Sequence, residues 1–302
     1  MSQQVLVDGL VNGALIGLGA VGVTLTYSIL RFANFAHGEF ITFGAYAALA
    51  ASALVSSCVV GSAAGLGPFS ISYALILAAP AAMAGTAGFA LALDWALFSR
   101  LRGRSEAISV VMASFGASLA IRASIEFAFT SSPAYFNREL QIAQPIGFGM
   151  KATPDQLVML VLAVALMAGV YLLLKRTQLG RAMRAVSENP ALARVAGVDV
   201  ERTVGFAWAL GGALASAAGI MLGLLVQIRP FMGFDLLLPL FAAAILGGIG
   251  SAPGAFAGAL IVGLGEALTV EFVGAEWRAA VAFVVLVAVL LIRPSGIAGR
   301  AA

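Results

Sequence analysis

The fold is decided by residues 155–202, which read DQLVMLVLAVALMAGVYLLL and then KRTQLGRAMRAVSENPALARVAGVDVER. The first of these two stretches is almost entirely apolar, and a helix needs about 20 such residues to cross the hydrocarbon core of a bilayer. The second stretch is basic and amphipathic, and it is not apolar enough to span. We therefore predict a transmembrane helix over 155–174 that leads into a polar segment outside the membrane.

The rest of the chain has the same apolar character. Of its 302 residues, 61% are hydrophobic and only 10% are charged, whereas a soluble domain carries about 25% charged residues. Lipid is therefore the expected solvent. The net charge of +3 is too small to indicate nucleic acid as a partner. Apolar segments occur at 5–30, 38–60, 72–98, 106–129, 155–174, 203–227, 236–247, 254–271 and 277–292.

These segments predict an all-α integral membrane protein with a single transmembrane domain over 1–302. We expect a polytopic bundle of about eight helices, or nine if the short segment 236–247 crosses fully, with broken or re-entrant segments. The 35 glycines favour a compact bundle, because helices in lipid pack closely through small residues.

The orientation follows from the basic residues, since loops rich in Lys and Arg face the cytoplasm. The loop 130–154 then faces outward, and the C-terminus lies inside. The N-terminus lies outside with nine crossings and inside with eight. The basic residues that decide this are Lys175, Arg176, Arg181, Arg184, Arg194 and Arg202, a second cluster of Arg100, Arg102 and Arg104, the sparser Arg138 and Lys151 of the outer loop, and Arg293 and Arg300 near the end.

The cytoplasmic segment 176–202 predicts a helix, a break and a second helix. Gly180 and Pro190 bracket the first helix, Ser187 or Asn189 can cap the second, and Gly197 is placed to end it. A knob of this kind is suited to dock on another protein. The alternative is an ordinary basic loop that sets topology or touches anionic lipid. Small apolar residues that alternate with polar ones favour a protein groove.

A second polar feature interrupts the apolar sequence at 31–39. It contains Asn34, Glu39 and the single histidine of the chain, His37. Polar groups at membrane depth are costly and usually face protein or a watery cavity. One interpretation is a broken helix that lines a translocation route, and the other is a short loop in water beside Arg31. A further interruption, rich in glycine, follows the segment 236–247.

Three other residues in apolar runs are candidates for buried roles. Arg122 and Glu126 are four positions apart, so they share a helix face, and we predict an intramembrane ion pair between them; the alternative is a contact to the substrate. Glu266 lies in an apolar run and is expected to face the bundle interior. The single cysteine, Cys58, precludes an internal disulfide and is interpreted as a small packing residue.

The chain offers no site for nucleotide chemistry. Its two lysines, Lys151 and Lys175, do not stand in a phosphate-binding loop of the G-x-x-x-x-G-K-[ST] type, so any ATP energy must come from a separate subunit. A chain with broken helices could instead be a secondary transporter driven by an ion gradient, and Glu39 and Glu266 are loose candidates for the ion-coupling groups. An intramembrane enzyme is disfavoured because no nucleophile stands in a recognisable partner pattern.

Three stretches carry a resemblance to a known family. They are 34–46, with NFAHGE followed by GAY; 180–199, with GRAMRA, EN and GVD; and 243–268, with AAILGGIGSAPGA followed by GEAL. The chain resembles the inner-membrane permease subunits of branched-chain amino acid ABC transporters, particularly the H-type subunit. The resemblance covers almost the whole chain.

The resemblance implies a multi-pass permease of the bacterial inner membrane. It works with a second permease subunit, two cytoplasmic ATPase subunits that bind ATP and Mg, and a periplasmic substrate-binding protein, while this chain holds no cofactor. The implied solute is a branched-chain or other aliphatic amino acid; urea or a short amide is the alternative in the same family. The expected coupling residues are Gly180, Arg181, Arg184, Ala185, Glu188, Asn189, Ala193 and Gly197, and the expected pathway residues are Asn34, His37, Gly38, Glu39, Gly247, Gly248 and Gly250.

Overall fold

The computed structural model describes residues 3–59, 61–62, 65, 67, 69–102, 106–137, 141–147, 149–293 and 296–298. Three residues of the predicted charge pattern, Arg104, Arg138 and Arg300, lie outside these ranges. The helices are, in chain order, α1 (Gln4–Leu30), α2 (His37–Cys58), α3 (Tyr73–Leu93), α4 (Ala107–Phe129), α5 (Pro154–Arg176), α6 (Gln178–Glu188), α7 (Pro190–Val195), α8 (Val200–Leu225), α9 (Met232–Gly247), α10 (Ala252–Phe272) and α11 (Arg278–Ile292).

Eight of the described helices are long and apolar enough to cross a membrane, namely α1 to α5, α8, α10 and α11. This confirms the predicted all-α polytopic fold. The helix α9 has 16 residues, so it is about 24 Å long and falls short of the ~30 Å hydrocarbon core. The helix α3 continues through a π-helical turn at Asp94–Phe98 to Leu101, and a 3-10 turn at Ala275–Trp277 precedes α11.

One small sheet interrupts the helical pattern within the part of the chain that the structure describes. Strands β1 (Gln144–Gly147) and β2 (Met150–Ala152) form an antiparallel hairpin just before α5. Thr153 then caps α5 with a capping box, in which Thr153 Oγ1 accepts from Gln156 N and Gln156 Oε1 accepts from Thr153 N. The predicted outer loop 130–154 therefore holds ordered structure that its sequence did not indicate.

The helix α1 lies at the centre of the bundle. It and α8 are the most buried of the spanning helices, and α1 packs along α10, α8 and α9. The contact with α10 depends on glycine, because a Cβ at Gly263 would lie 2.4 Å from the Cα of Gly13. Such close backbone approach is how helices associate in lipid. The last helix, α11, is almost entirely at the periphery.

Contacts at the two ends of α1 fix the direction of the chain. Arg31 donates to the carbonyls of Ser187 and Glu188 at 3.2 and 3.1 Å, so the end of α1 lies beside α6; we call this the basic end. At the opposite end, Gln4 Oε1 accepts from Lys151 N at 3.0 Å, so α1 starts beside β2; we call this the hairpin end. The hairpin belongs to the predicted outer loop, so α1 begins on the side of that loop, which is the N-terminal orientation expected for nine crossings. The helix α9, which would be the ninth, is nevertheless too short to span fully.

Two chain breaks let helices begin inside the bundle. The ring of His37, where α2 starts, lies against Gly22 of α1, which is eight residues, or about 12 Å, before the end of α1. The helix α9 starts after residues 226–231, and its Gly233 meets the backbone of Gly38. The predicted broken segment at 31–39 is confirmed, whereas the break before α9 was not predicted.

The structure corrects the interpretation of Cys58. This residue ends α2 at the hairpin end and is exposed. It therefore does not act as a packing residue. The buried part of α2 ends at Ala48, so the last turns of the helix project beyond the tightly packed region and leave the thiol at the surface.

Candidate functional site

The start of α2 is buried although it is polar. The exposed fractions are 3% for Asn34 and 0% for His37 and Glu39. Asn34 Oδ1 accepts from Ala36 N at 3.1 Å and so satisfies a backbone donor at the break. The alternative of a loop in open water is therefore wrong, because groups this deeply buried cannot be hydrated. Hydrogen-bond partners for these groups must come from protein, buried water or a transported solute.

Glu39 forms an ion pair with a residue of another helix. Arg122 of α4 donates to Glu39 Oε1 through Nη2 at 2.6 Å and through Nε at 3.2 Å. Ser118 Oγ donates to the same oxygen at 3.0 Å. Charge-assisted bonds of this kind are the strong class of hydrogen bond in proteins. The pair joins α2 to α4 across 83 positions of sequence.

The predicted ion pair between Arg122 and Glu126 is therefore wrong. Helical spacing correctly placed the two residues on neighbouring positions of α4, but Arg122 turns toward α2. The carboxylate of Glu39 is fully buried and needs a cation, because an unpaired buried charge is costly. Glu126 is only half-buried and can be hydrated.

A polar stripe on α4 brings this pair to the middle of the bundle. Ser114, Ser118 and Arg122 follow one another at intervals of four residues and thus share one face. Ser114 Oγ accepts from Phe35 N at 3.2 Å. Ser118 is the twelfth of the 23 residues of α4, so it lies about 16 Å from either end of that helix. The Glu39 carboxylate is therefore near the midplane of the expected bilayer.

Aromatic rings cover the guanidinium. The Cζ of Arg122 lies 4.2 Å from the ring centroid of Phe234 and 5.0 Å from that of Phe231, which is within the range of a cation–π interaction. Both rings are partly exposed, at 38% and 48%. The pair is thus sealed by two aromatic side chains at the start of α9. Sequence reasoning missed Phe231 and Phe234, for which no local signal exists.

The second group of predicted pathway residues lies elsewhere. Gly247 ends α9 at the basic end, and Gly248 and Gly250, with φ of 95° and 91°, lie in the turn between α9 and α10. Gly250 N donates to Thr24 Oγ1 of α1 at 3.0 Å. His37 contacts Gly22, and Gly250 contacts Thr24 two residues later in α1. These two contacts therefore lie about 200° apart around the axis of α1. The structure does not bring the two predicted groups together.

The segment 176–202 has the predicted form of two helices. Thr177 caps α6 and Asn189 caps α7 through bonds to Gly180 N and Leu192 N, at 3.1 and 3.0 Å. Gly197 follows α7 with a φ of 83°. Of the eight predicted coupling residues, Arg181, Arg184, Glu188, Asn189 and Gly197 are exposed, Ala185 is half-buried, and Gly180 and Ala193 are buried.

The buried members of this segment hold it against the bundle. A Cβ at Gly180 would lie 2.0 Å from the carbonyl oxygen of Leu174, so α6 folds tightly back on the end of α5. Arg184 also donates to that carbonyl. Two large apolar side chains of α7, Leu192 and Val195, are exposed at 66% and 86%. Sequence reasoning had singled out the small alanines of the segment rather than these residues.

Glu266 faces the interior, as predicted, and belongs to a network at the hairpin end. Its Oε2 accepts from Asn12 Nδ2 at 2.7 Å and from Arg278 Nε at 2.8 Å. Arg278 also donates to Asn12 Oδ1 at 2.6 Å. The three side chains connect α1, α10 and the start of α11. Both acidic candidates for ion coupling, Glu39 and Glu266, are thus paired with arginine.

The geometry is that of a membrane bundle with two helices that begin internally and a helical knob at one end. A family model described as branched-chain amino acid transport system / permease component matches residues 5–290. The chain belongs to this family. The resemblance drawn from the three sequence stretches is therefore confirmed, and the protein is a multi-pass transport permease component.

Two curated branched-chain amino acid permeases are similar to this permease over nearly its full length. The high-affinity branched-chain amino acid transport system permease protein BraD of Pseudomonas aeruginosa is 32% identical over 302 residues, which cover 98% of this chain and 95% of that protein. LivH of Escherichia coli K12, which has the same description, is 30% identical with the same coverage. The autoinducer 2 import system permease protein LsrC of Klebsiella pneumoniae is 39% identical over 141 residues, which are 44% of this chain and 40% of that protein.

Proposed function

We propose that the permease forms half of the channel of an ATP-binding cassette importer in the bacterial inner membrane. The observation that carries the proposal is the full-length membership in a permease family together with the helical knob of α6 and α7 at the basic end. Alternating access is the expected mechanism: the channel opens to one side and then to the other as partner ATPases bind and hydrolyse ATP.

The knob of α6 and α7 is the proposed docking site for an ATPase subunit. Its exposed Leu192 and Val195 offer apolar anchors, and Arg181 and Arg184 add a basic rim. Apolar anchors on a short helix are suited to a protein groove. The bonds from Arg31 to the carbonyls of Ser187 and Glu188 connect the end of α6 to α1. Movement of the knob would therefore reach the central helix of the bundle directly.

The proposed solute is a branched-chain or other aliphatic amino acid. BraD and LivH are named for branched-chain amino acid transport, and the buried polar groups Asn34, His37 and Glu39 at the start of α2 are the proposed contacts of the route, with Gly38 between them. A related permease for urea or short amides is the alternative. LsrC, which is similar to part of this chain, is named for autoinducer 2 import, so similarity alone does not fix the solute class.

The proposed assembly contains a second permease, two ATPases that bind ATP and Mg, and a periplasmic binding protein. Large apolar side chains remain exposed on the peripheral helices, such as Phe127 on α4 and Leu291 on α11. These surfaces are suited to lipid or to the second permease, because an apolar face of this extent is unstable in water.

Purification and reconstitution test the proposal. We expect the permease to co-purify with an ATPase and, in vesicles with the binding protein, to take up amino acid only with ATP. Uptake that survives ATP depletion and collapses with an ion gradient would instead indicate a secondary transporter. Turnover of a compound by the purified chain alone would indicate an enzyme.

Cysteine labelling tests the orientation independently. In a Cys58→Ser background, Leu192→Cys places a thiol on α7, and we expect it to react only with reagents that reach the cytoplasm. The unmodified Cys58 is the matched control, because it is exposed at the opposite end and should react from outside. Labelling of Leu192→Cys from the outside would contradict the docking assignment.

A further inference from the structure

Two opposite charges are buried together where two internal helix starts meet. The Glu39 side chain is 0% exposed and that of Arg122 is 8% exposed. All three bonds to this carboxylate end on Oε1, and the buried Oε2 has no hydrogen-bond partner in the described structure. A buried carboxylate oxygen without a partner is unfavourable in a folded protein, so this atom is available to a donor that is absent here.

The two helix starts add a positive field at the same place. The N-cap residues of α2 and α9 are Ala36 and Phe231, and neither bonds the first turn of its helix through its side chain. Gly38 and Gly233 bring the two starts into backbone contact. The amino end of a helix carries partial positive charge, and helices that begin inside a transporter direct this end toward anionic groups of the solute.

We propose that Arg122 and Glu39 form a subsite for a zwitterionic solute, in which Arg122 binds the α-carboxylate and Glu39 binds the α-ammonium group. This inference rests on the proposed function and narrows its solute class. The guanidinium can take a carboxylate through two parallel bonds. The ammonium group supplies the donors that Oε2 lacks. In the observed arrangement the two side chains neutralise each other and close the subsite.

A zwitterion can replace the contact between Glu39 and Arg122 without leaving either charge unpaired, and this sets the selectivity of the subsite for its solute. Separating Glu39 from Arg122 without a replacement leaves two unpaired charges near the midplane, which is strongly unfavourable. A zwitterion replaces both partners at once. Urea and short amides carry no net charge at either end, so they do not compensate for the separation. Solutes with a single charge compensate for only one of the two groups. The subsite thus favours amino acids over the alternative class.

The helix α4 is placed to open the subsite. It is mostly exposed, and its main packing is against α2. Its bonds to that region come from Ser114, Ser118 and Arg122. Such polar contacts can be exchanged for contacts to a solute, whereas interlocked apolar packing resists separation. Phe231 and Phe234 cover the guanidinium with ring centroids 5.0 and 4.2 Å from its Cζ.

A paired neutral substitution tests the subsite. Glu39→Gln with Arg122→Gln removes both charges and leaves none unpaired, so the protein should still fold. The control is Arg229→Gln with Asp235→Gln, which removes a neighbouring ion pair whose side chains are about half exposed. Each variant is reconstituted with the ATPases and the binding protein, and ATP-driven uptake of radiolabelled leucine is measured beside ATP hydrolysis.

We expect uptake by the Glu39→Gln/Arg122→Gln variant to fall at least about tenfold, since removing buried charged partners of a ligand has effects of that size or larger. ATP hydrolysis should persist, and the control should transport normally. Uptake within about twofold of the control would overturn the proposal.

A second variant keeps the test decisive if the first does not fold. Arg122→Lys preserves the charge but loses the planar fork; we expect the KM for uptake to rise at least about fivefold, with ATP hydrolysis unchanged. An unchanged KM would overturn the proposal. Absence of ATP-driven uptake in the unmodified protein would instead refute the importer assignment, so the two failures are distinguishable.

Discussion

Substitution of Gly233 by alanine tests whether the two internal helix starts touch. A Cβ at this position would lie 1.8 Å from the carbonyl oxygen of Gly38 and 2.6 Å from Thr42 Oγ1. Since ordinary contacts of this kind are about 3.5 Å, α2 and α9 would have to separate by more than an ångström. The nearest atom belongs to the backbone, so a change of rotamer cannot relieve the clash. Gly233 N also donates to Thr42 Oγ1 at 3.1 Å, and that bond would lengthen.

The expected change in the free energy of unfolding of Gly233→Ala follows from two opposing effects. Overpacking a well-fitted interior costs about 1–3 kcal/mol, and a clash between backbones belongs at or above the upper end of that range. Alanine returns up to about 1 kcal/mol through its better helix propensity. We therefore expect a net loss of about 2 kcal/mol in the free energy of unfolding. At roughly 2–4 °C per kcal/mol, the melting temperature should fall by about 4–8 °C.

The assay is thermal unfolding of the purified permease in detergent. Unfolding is measured as the loss of the monodisperse peak in size-exclusion chromatography after heating. The matched control is Gly116→Ala in α4, where a Cβ would meet no atom within 4 Å. That variant should melt at or slightly above the unmodified protein. Equal melting temperatures for Gly233→Ala and Gly116→Ala would refute the close contact of α2 and α9.

Three further predictions concern the knob and the hairpin end. Arg31→Ala should lower ATP-driven uptake several-fold while ATP hydrolysis continues, because the link from α1 to α6 is lost; Arg31→Lys should recover part of the uptake, and normal uptake by Arg31→Ala would count against the link. Glu188→Gln and Gly197→Ala should uncouple ATP hydrolysis from uptake without affecting membrane insertion, which is checked by measuring both activities in the same vesicles; tight coupling in both variants would argue against docking at the knob. Asp155→Asn should weaken the bonds from Ser70 N and Oγ and destabilise the protein by about 1.5–3 kcal/mol, seen as faster proteolysis near residue 70; unchanged proteolysis would contradict this role.

The apolar segments predicted the spanning helices well, because bilayer thickness imposes a length and composition that a single sequence displays directly. The helix α5 illustrates this, since its predicted bounds of 155–174 differ from the observed Pro154–Arg176 by at most two residues. The two helices of the knob were predictable for a related reason. Capping at Asn189 and the left-handed turn at Gly197 depend on local chemistry that is written in consecutive residues.

Local sequence could not predict the partner of Arg122. Spacing identifies neighbours on the same helix, and it therefore pointed to Glu126. Glu39 lies 83 positions away, and it becomes the partner only because packing buries it completely. The same limit applies to Phe231 and Phe234, which cover the guanidinium, and to Arg278, which meets Glu266. Each of these contacts joins separate helices.

The sequence by itself determined that this chain is a multi-pass membrane protein, where its long apolar helices lie, which segments are basic and to which family it belongs. Those properties depend on composition, on length and on motifs within short stretches. Only the tertiary structure decided that α2 and α9 begin inside the bundle, that the two groups of predicted pathway residues lie on different faces of α1, and that an ion pair lies near the midplane. The physical reason is that burial and charge pairing depend on which helix faces meet, and these faces come from distant parts of the chain.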